Sequence, residues 1–455
     1  MKTILNEKLN YNLLVLYDIE YLRNNIILPF KDDGLTIYLY VSSKSNLNNI
    51  EEFFANKNLK FINVRKEEIL FLLNDINIKK ELFFLATKTK EVENSNSSLM
   101  QDFVEKLLSF SIYKDSSDIH IENCDSLTLI RFRIDGKLKT FLVLDEYFLK
   151  LISSFLKLIS NLDITQTRLP LDSRFSLDID DKKFDFRLST MPTLNSESIV
   201  IRVLDSKNID ISIKDIGFSS HVLLNIQNSL NLAQGLILVT GPTGSGKTTS
   251  LYSMLNFLNS SDKKIITIED PIEYKIDSLT QVQVNNKVGL SFDLILKNIL
   301  RQDPDIIFIG EIRDELSLKI ALQASLTGHL VLASIHANSS VETITRLFDL
   351  EADPFLISSS LKLILSQRLV LSYCPKCKAE GCGFCNYTKY KGRTVVSESL
   401  KIDENLSSMI FKKESINSFN KYLKQINYKT LFDDGELKVS QNITSMQELL
   451  KVVTI

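Results

Sequence analysis

The sequence offers no apolar stretch of the roughly 18 unbroken residues that a membrane-spanning helix needs. Its start, MKTILNEKLNYNLL, has neither the apolar core nor the cleavage site of a secretory leader. These absences give no reason to expect a helical anchor and make the cytoplasm the expected site of action. A strong charge of either sign is missing too. With 54 lysines and arginines against 56 aspartates and glutamates, the formal net charge is −2, so no nucleic acid is expected as a direct partner. Cysteine is scarce, and four of the five crowd into residues 374–385; in a reducing compartment this points to a metal site more than to disulfides. No internal repeat recurs at a fixed period. What is present is the balance of a globular chain, 44% apolar and 24% charged, at a length of 455 residues that predicts two or three domains.

The rest of the chain is organised around LILVTGPTGSGKTTSLYSML, residues 236–255. A continuous apolar run enters a glycine-rich turn and an apolar pattern at helical spacing follows, which predicts a loop between a buried strand and a helix start. Gly241 and Gly246 bracket four residues ahead of Lys247 and Thr248, the spacing at which backbone N–H groups wrap a β-phosphate at a helix N-terminus. Gly241, Pro242, Thr243, Gly244, Ser245, Gly246, Lys247, Thr248 and Thr249 are therefore the expected nucleotide-binding residues. Lys247 would reach the β- and γ-phosphates, and the Thr248 hydroxyl would ligate Mg2+. The competing reading, a glycine-rich turn with a chance lysine, does not account for the flanking strand and helix.

Residues 1–93 mix short strand-like runs (36–41, 60–64) with helical ones (50–55, 67–73), a small α/β domain in which no chemical constellation stands out. The polar stretch TKTKEVENSNSS, residues 87–98, reads as a linker. Residues 97–205 pass from a helix into alternating strands, with IDGKL and DIDDKK as hairpin turns, predicting an antiparallel sheet with helices beside it. Arginines recur there, as Arg131, Arg133, Arg168, Arg174, Arg187 and Arg202; they are either a solvated face or a cluster that meets a phosphate. From residue 212 strands and helices alternate, with strands at KIITIED, DIIFIGEI and HLVLASIH. This is the pattern of a parallel sheet whose ligands gather at the strand C-termini.

Those strand ends carry the chemistry. EDPIEY puts Glu269, Asp270 and Glu273 near the phosphates, and DIIFIGEIRD ends in Gly310 and Glu311, where an ordinary Walker B strand ends in aspartate. Glu311 is expected to position the attacking water and take its proton; the alternative is a carboxylate that only caps the next helix. His336, after the next strand, is a candidate sensor of the γ-phosphate, His329 at the strand's other end a weaker one, and His221 lacks context. In CPKCKAEGCGFC, Cys374, Cys377, Cys382 and Cys385 form two CxxC pairs that can close a tetrahedral Zn2+ shell; a redox dithiol pair is the rival reading. Cys124, alone, is expected to be a small buried hydrophobe.

The series SSDIHIE, RFRIDG, RLPLDSR, RVLD, GPTGSGKTT, TIEDPIEY, LRQDPDIIFIGEIRD, TGHLVLASIHAN, SQRLV, the cysteine pairs, YKGR and a tail of KTLFDDGELKV with ITSMQELLKV resembles one family across residues 97–455. That family is the secretion and assembly ATPases of bacterial type II secretion and type IV pili. The resemblance implies a RecA-like P-loop ATPase domain at 212–455 with a tetracysteine zinc insert at 374–385. A smaller α/β, PAS-like domain at 97–205 and an N-terminal α/β docking domain at 1–93 precede it. It places the Walker A box on 241–248, an Asp box on 269–273, the Walker B on 306–311 and a His box on 327–336. Arginines of the preceding domain act at the nucleotide in this family, which maps onto Arg187 and Arg202, with Arg313 and Arg368 nearby. The implied catalytic set is Glu311, Glu269, His336, Arg187 and Arg202.

The implied activity is ATP hydrolysis by a homo-hexamer, with ATP, Mg2+ and Zn2+ as ligands. The ring would sit peripherally at the inner membrane, through a platform protein and a cytoplasmic membrane-docking partner, and drive pilus or pseudopilus subunits, or DNA uptake. The zinc module suggests an extension or secretion ATPase, since retraction ATPases lack it. The chain departs from the family pattern at HANSS, at Ser173, at Ser196-Glu197 and in its short cysteine loop. Two other functions compete: a nucleotide-gated scaffold of the same machine with slow turnover, and a DNA motor on a similar fold, disfavoured by the charge balance.

Overall fold

Residue patterning decides where the sheets form. In IRFRI, residues 130–134, apolar residues alternate with arginines, so an extended chain turns Ile130, Phe132 and Ile134 to one face and Arg131 and Arg133 to the other. In the computed structural model, which describes residues 4–55, 57–91, 96–194, 196–204 and 211–453, that segment is a strand with those three apolar side chains buried. The chain divides into two compact units, Met1–Asp205 with Cys374–Lys391, and Ser206–Tyr373 with Gly392–Ile455.

The first unit holds two sheets. Strands β1 (Leu28–Asp32), β2 (Thr36–Val41) and β3 (Asn58–Asn63) lie in that order, β1 antiparallel and β3 parallel to β2. The second sheet comprises β4 (Ser116–Cys124), β5 (Leu127–Ile134), β6 (Lys137–Asp145), β7 (Leu171–Ile179), β8 (Lys182–Pro192) and β9 (Glu197–Leu204). It is antiparallel, in the order β6-β5-β4-β9-β8-β7. Asp135 and Gly136, and Asp180 and Asp181, turn its hairpins at positive φ, a conformation these residue types tolerate.

The expected boundary at 93 is not a division between units: the described residues on both sides of 92–95 belong to one. Helix Ile76–Glu91 packs on helix Asn96–Tyr113, Lys106 pairs with Glu81, and one cluster of buried side chains runs from Ile4 through Phe103 to Val203. Of the expected linker, residues 87–91 belong to the first helix, because Leu82, Ala86 and Thr89 carry its buried face forward at helical spacing while Lys88 is exposed. Residues 92–95 lie outside the described residues. The cysteine stretch, expected within the C-terminal domain, groups with the first unit. Cys124 is exposed at the end of β4, not buried: the last residues of a strand have left the alternation that feeds the core.

The second unit is built on β10 (Gly235–Thr240), β11 (Ile265–Glu269), β12 (Thr280–Gln283), β13 (Ile306–Ile309), β14 (Leu330–Ile335), β15 (Leu361–Tyr373) and β16 (Tyr390–Lys401). The sheet order is β12-β11-β13-β14-β10-β15-β16, and the pairs from β12 through to β15 are parallel. Every residue of β10, β13 and β14 is buried, as continuous apolar runs covered on both faces require. From β10 the chain jumps across the places of β14 and β13 to reach β11. The carboxyl ends of β10, β11, β13 and β14 consequently open on one edge, where ligands of such sheets collect.

Candidate active site

A cavity of about 780 Å³ opens at that edge, lined by residues 243–249 together with Glu269, Glu273, Glu311, Arg313 and His336. The expected phosphate loop lies between β10 and helix Lys247–Leu258, with Gly241 and Gly246 at φ 147° and 88°. Only glycine fits at 241, since a Cβ there would stand 2.5 Å from the Gln367 carbonyl oxygen and 2.6 Å from the Ser245 hydroxyl. Gly241 and Pro242 form the base of the loop: Lys247 Nζ donates to their carbonyls at 2.8 and 3.2 Å. Burial holds the Lys247 ammonium below its usual pKa, the charge of Glu311 pulling the other way and that of Arg368 adding to the depression. Thr248 is exposed on the first helical turn, and the buried Ser245 hydroxyl has no partner among the described residues. N–H groups at a helix start, a lysine whose charge is poorly solvated and an accessible threonine hydroxyl fit a nucleoside triphosphate with Mg2+.

Glu311 follows β13 and is held at both oxygens. His336 Nε2 lies 2.9 Å from Oε1, and Arg313 Nε donates to Oε2 at 2.7 Å. The segment is fixed by β14, whose Ser334 hydroxyl donates to the Gly310 carbonyl at 2.6 Å. Glu311 does not cap the next helix; Asp314 does, accepting from Ser317 N at 2.8 Å. Glu269 has a different setting. It is buried, Tyr252 donates to Oε2, and Thr267 and Gln281 donate to Oε1 at 2.6 and 3.3 Å. Burial pushes its carboxyl pKa up, against the effect of those bonds. A carboxylate so occupied braces the strand ends and is poorly placed to take a proton from water. His329, at the opposite end of β14, faces the Ala324 carbonyl at 3.0 Å, away from the cavity lining.

Gln367 was not singled out from the sequence. On β15 it is 1% exposed, donates from Nε2 to the Ser245 carbonyl at 2.9 Å and accepts from the Ser250 hydroxyl at 2.9 Å, stitching both ends of the loop-to-helix turn to the sheet. Its partners are more than a hundred residues away, so the sequence hinted at it only through the SQRLV match and the polar interruption in ILSQRLV, without assigning it a role. Replacing it by leucine leaves two buried polar groups unpaired, at about 1–3 kcal/mol each. Gln367→Leu is expected to weaken ADP binding about tenfold while lowering kcat at saturating ATP less. Unchanged ADP affinity, read by titration, would remove it from the site. Its neighbour Arg368 donates to the Asn338 carbonyl at 2.7 Å, on the loop after His336, and is not part of the cavity lining.

The expected arginines belong to the first unit. Arg174, Arg187 and Arg202 pair in register across β7, β8 and β9, and Arg202 pairs onward with Asp118 of β4. Residues opposite one another on antiparallel neighbours share a face, so three guanidinium groups stand in a row. Arg202 Nε donates to Asp118 Oδ1 at 3.1 Å, whereas Arg187 makes no ion pair among the described residues. Asp185 instead accepts from Ser176 at 2.5 Å, and Asp205 lies outside the described residues.

The four Sγ atoms of Cys374, Cys377, Cys382 and Cys385 all lie within 4.8 Å of one another, with separations of 3.7 to 3.9 Å between hydrogen-bonded pairs. Zn–S bonds of about 2.3 Å in a tetrahedron give edges of about 3.8 Å. The N–H groups of Gly381 and Cys382 donate to Cys377 and Cys385 sulfurs at 3.2 Å, the support a thiolate needs. No disulfide joins the cysteines. The donor set fits zinc.

Strand order and phosphate loop make the second unit a RecA-like P-loop ATPase domain. A model of the family described as Type II/IV secretion system protein matches residues 93–451, and the chain belongs to that family. It is 39% identical over 411 residues to the Type II secretion system ATPase E of Vibrio cholerae serotype O1, covering 84% of this chain and 82% of the relative. It is 37% identical over 435 residues to the Protein transport protein HofB homolog of Haemophilus influenzae, covering 94% and 90%. Among solved structures, the pilus retraction motor PilT with bound ADP aligns at TM-score 0.59 and 26% identity, over 77% of this chain and 97% of that one. The chain is an ATP-hydrolysing enzyme that powers secretion or pilus assembly. It acts on ATP with Mg2+, and its four-cysteine cluster is able to hold zinc. No helix among the described residues is long and apolar enough to cross a membrane.

Proposed function

We propose that the chain acts as a hexameric ring on the cytoplasmic side of an inner-membrane platform, hydrolysing ATP to drive pilus or pseudopilus subunits outward. The observation that carries this reading is Glu311, fixed between His336 and Arg313 on the rim of the phosphate-loop cavity. A nucleotide-gated scaffold needs no such carboxylate. In the proposed division of labour, residues 241–249 bind the phosphates and Lys247 neutralises them. Thr248 would hold Mg2+, which spreads the charge of the β- and γ-oxygens when bound. Glu311 aligns the water and accepts its proton, and His336 orients Glu311 and reports on the γ-position. Glu269 locks Tyr252 and the end of β11 in place. Arg187 and Arg202 supply cations from the first unit. The tetracysteine module favours an extension or secretion motor over a retraction motor, and the docking partners would meet residues 1–93.

Steady-state ATPase of the full chain, alone, with membranes carrying the platform, and with DNA, tests the reading. Stimulation by the platform and not by DNA supports it; turnover that no platform raises favours the scaffold. Lys247→Ala is expected to bind ADP about 10- to 100-fold more weakly, as loss of a charge-assisted bond of about 1.5–3 kcal/mol implies. Binding within twofold of the parent would mean that the nucleotide sits elsewhere.

A further inference from the structure

The segment Cys374–Lys391 is bonded at both ends to strands of the ATPase sheet and yet packs with the first unit. Its contacts there are specific. Asn74 Nδ2 donates to the Gly383 carbonyl at 3.3 Å and to Asn386 Oδ1, and Lys391 Nζ pairs with Asp115 at 2.9 Å. Asn386 also lines a small cavity with Lys79, Lys114, Lys139 and the rings of Phe71 and Phe141. Lysine is conspicuous in this seam. Lys114 is matched by Asp75 at 2.8 Å, and Lys79 is buried and donates to the Leu72 carbonyl at 3.2 Å. Lys137 stands 6.0 Å from the centre of the Tyr390 ring. Lys139, on β6, is half-buried and lines that cavity with Asn386, the residue that follows Cys385; no carboxylate stands within ion-pair distance of it among the described residues, Asp135 being the nearest anionic influence and Cys385 a smaller one, against the like charges of Lys137 and Lys391.

A partly desolvated ammonium with no anion in direct contact is unfavourable, and Asp135 offsets this only at a distance while Lys137 and Lys391 oppose it. The metal cluster would add a second and larger negative charge beside these lysines. Four thiolates around Zn2+ carry a net charge of about −2, whereas four protonated thiols carry none. We propose that Lys139, together with the Asn74 contacts to Gly383 and Asn386, forms an electrostatic seat for the metal-loaded tetrathiolate, so that zinc loading docks residues 374–391 on the first unit as well as folding them. The cluster thereby becomes a clasp whose hold depends on its metal, distinct from a purely local staple.

The test uses the full chain. Metal analysis of purified, unchelated protein comes first and is expected to find about one zinc per chain; well under one would overturn the zinc assignment and the seat with it. Zinc affinity is then measured by competition with a chromophoric chelator. Lys139→Gln is expected to weaken zinc binding by about tenfold or more, the order expected when one unit charge is removed from beside a dianion at an effective dielectric of about 20. Lys139→Arg keeps the charge and should stay within about threefold of the parent. Stripping zinc from the parent should also speed backbone hydrogen exchange at residues 72–76 and 137–141 and leave residues 241–248 unchanged. Parental zinc affinity in Lys139→Gln, or equal exchange at 72–76 and 137–141 with and without metal, would show that the segment docks by shape alone and overturn the proposal.

Discussion

Glu311→Gln is expected to bind ADP as the parent does and to lose turnover by about 10²- to 10⁴-fold, the range attributable to a positioned general base. The amide keeps the volume of the carboxylate and an oxygen for Arg313 or His336, so the cavity rim should survive. What it loses is the ability to accept a proton, which matters only as the water attacks. Binding and chemistry should therefore separate cleanly, unlike the Lys247→Ala case, where ground-state binding itself fails. Single-turnover hydrolysis beside an ADP titration makes the comparison. Hydrolysis within a few-fold of the parent would move the base to Glu273 first. Glu269 would follow, because its oxygens are already committed to Tyr252, Thr267 and Gln281.

Arg187→Ala and Arg202→Ala are each expected to leave fold, assembly and ADP affinity close to parental and to lower kcat by at least about tenfold. A cation delivered to the γ-phosphoryl oxygens can be worth roughly 10³ to 10⁵ in rate. The sheet of the first unit supports this through an apparent defect: Arg174, Arg187 and Arg202 stand opposite one another on adjacent strands, an arrangement that repulsion disfavours. Asp118 relieves it at one end only, binding Arg202 on one side and lying 3.4 Å from Arg133 on the other. Arg187, in the middle and without an ion-pair partner among the described residues, has the most to gain from an arriving anion, so its replacement should have the larger kinetic effect. Thermal unfolding offers an independent check. If the row merely solvated the sheet, Arg187→Ala would keep parental kcat; if it is held for an anion, the variant melts no lower than the parent while turnover falls. Parental turnover in both variants, with assembly intact, would remove these residues from the reaction.

Much of the ATPase unit could be read from the sequence, and the reason is local. A buried parallel strand is a continuous apolar run, and its ligand-facing group follows immediately, so Gly241, Glu269, Glu311 and His336 announce themselves by standing at the ends of such runs. The antiparallel sheet was equally open, because its period-two alternation and Asp/Gly turns are written within a few residues. What could not be read depends on distant partners. Gln367 matters through Ser245 and Ser250, 122 and 117 residues away. The helix through residue 91 was hidden by a run of polar residues, its buried side being set by its packing on the next helix. The cysteine spacing disclosed a metal-binding chemistry, but nothing in CPKCKAEGCGFC says that its neighbours are Asn74, Asp115 and Lys139.

Strand β15 touches the phosphate loop near its middle, at Gln367, and ends at Tyr373, six positions or about 20 Å further along at the rise of an extended chain. That far end is moored: Tyr373 N donates to the Ile443 carbonyl at 2.8 Å, and the Thr444 hydroxyl donates to the Leu371 carbonyl at 2.7 Å. An extended strand resists stretching far better than it resists twisting. A pull on the Ser245 carbonyl would therefore arrive at the C-terminal residues 443–444 as a nearly rigid displacement. In mechanical terms β15 is a connecting rod, with the fuel chamber stitched to its midpoint and a bearing at its end.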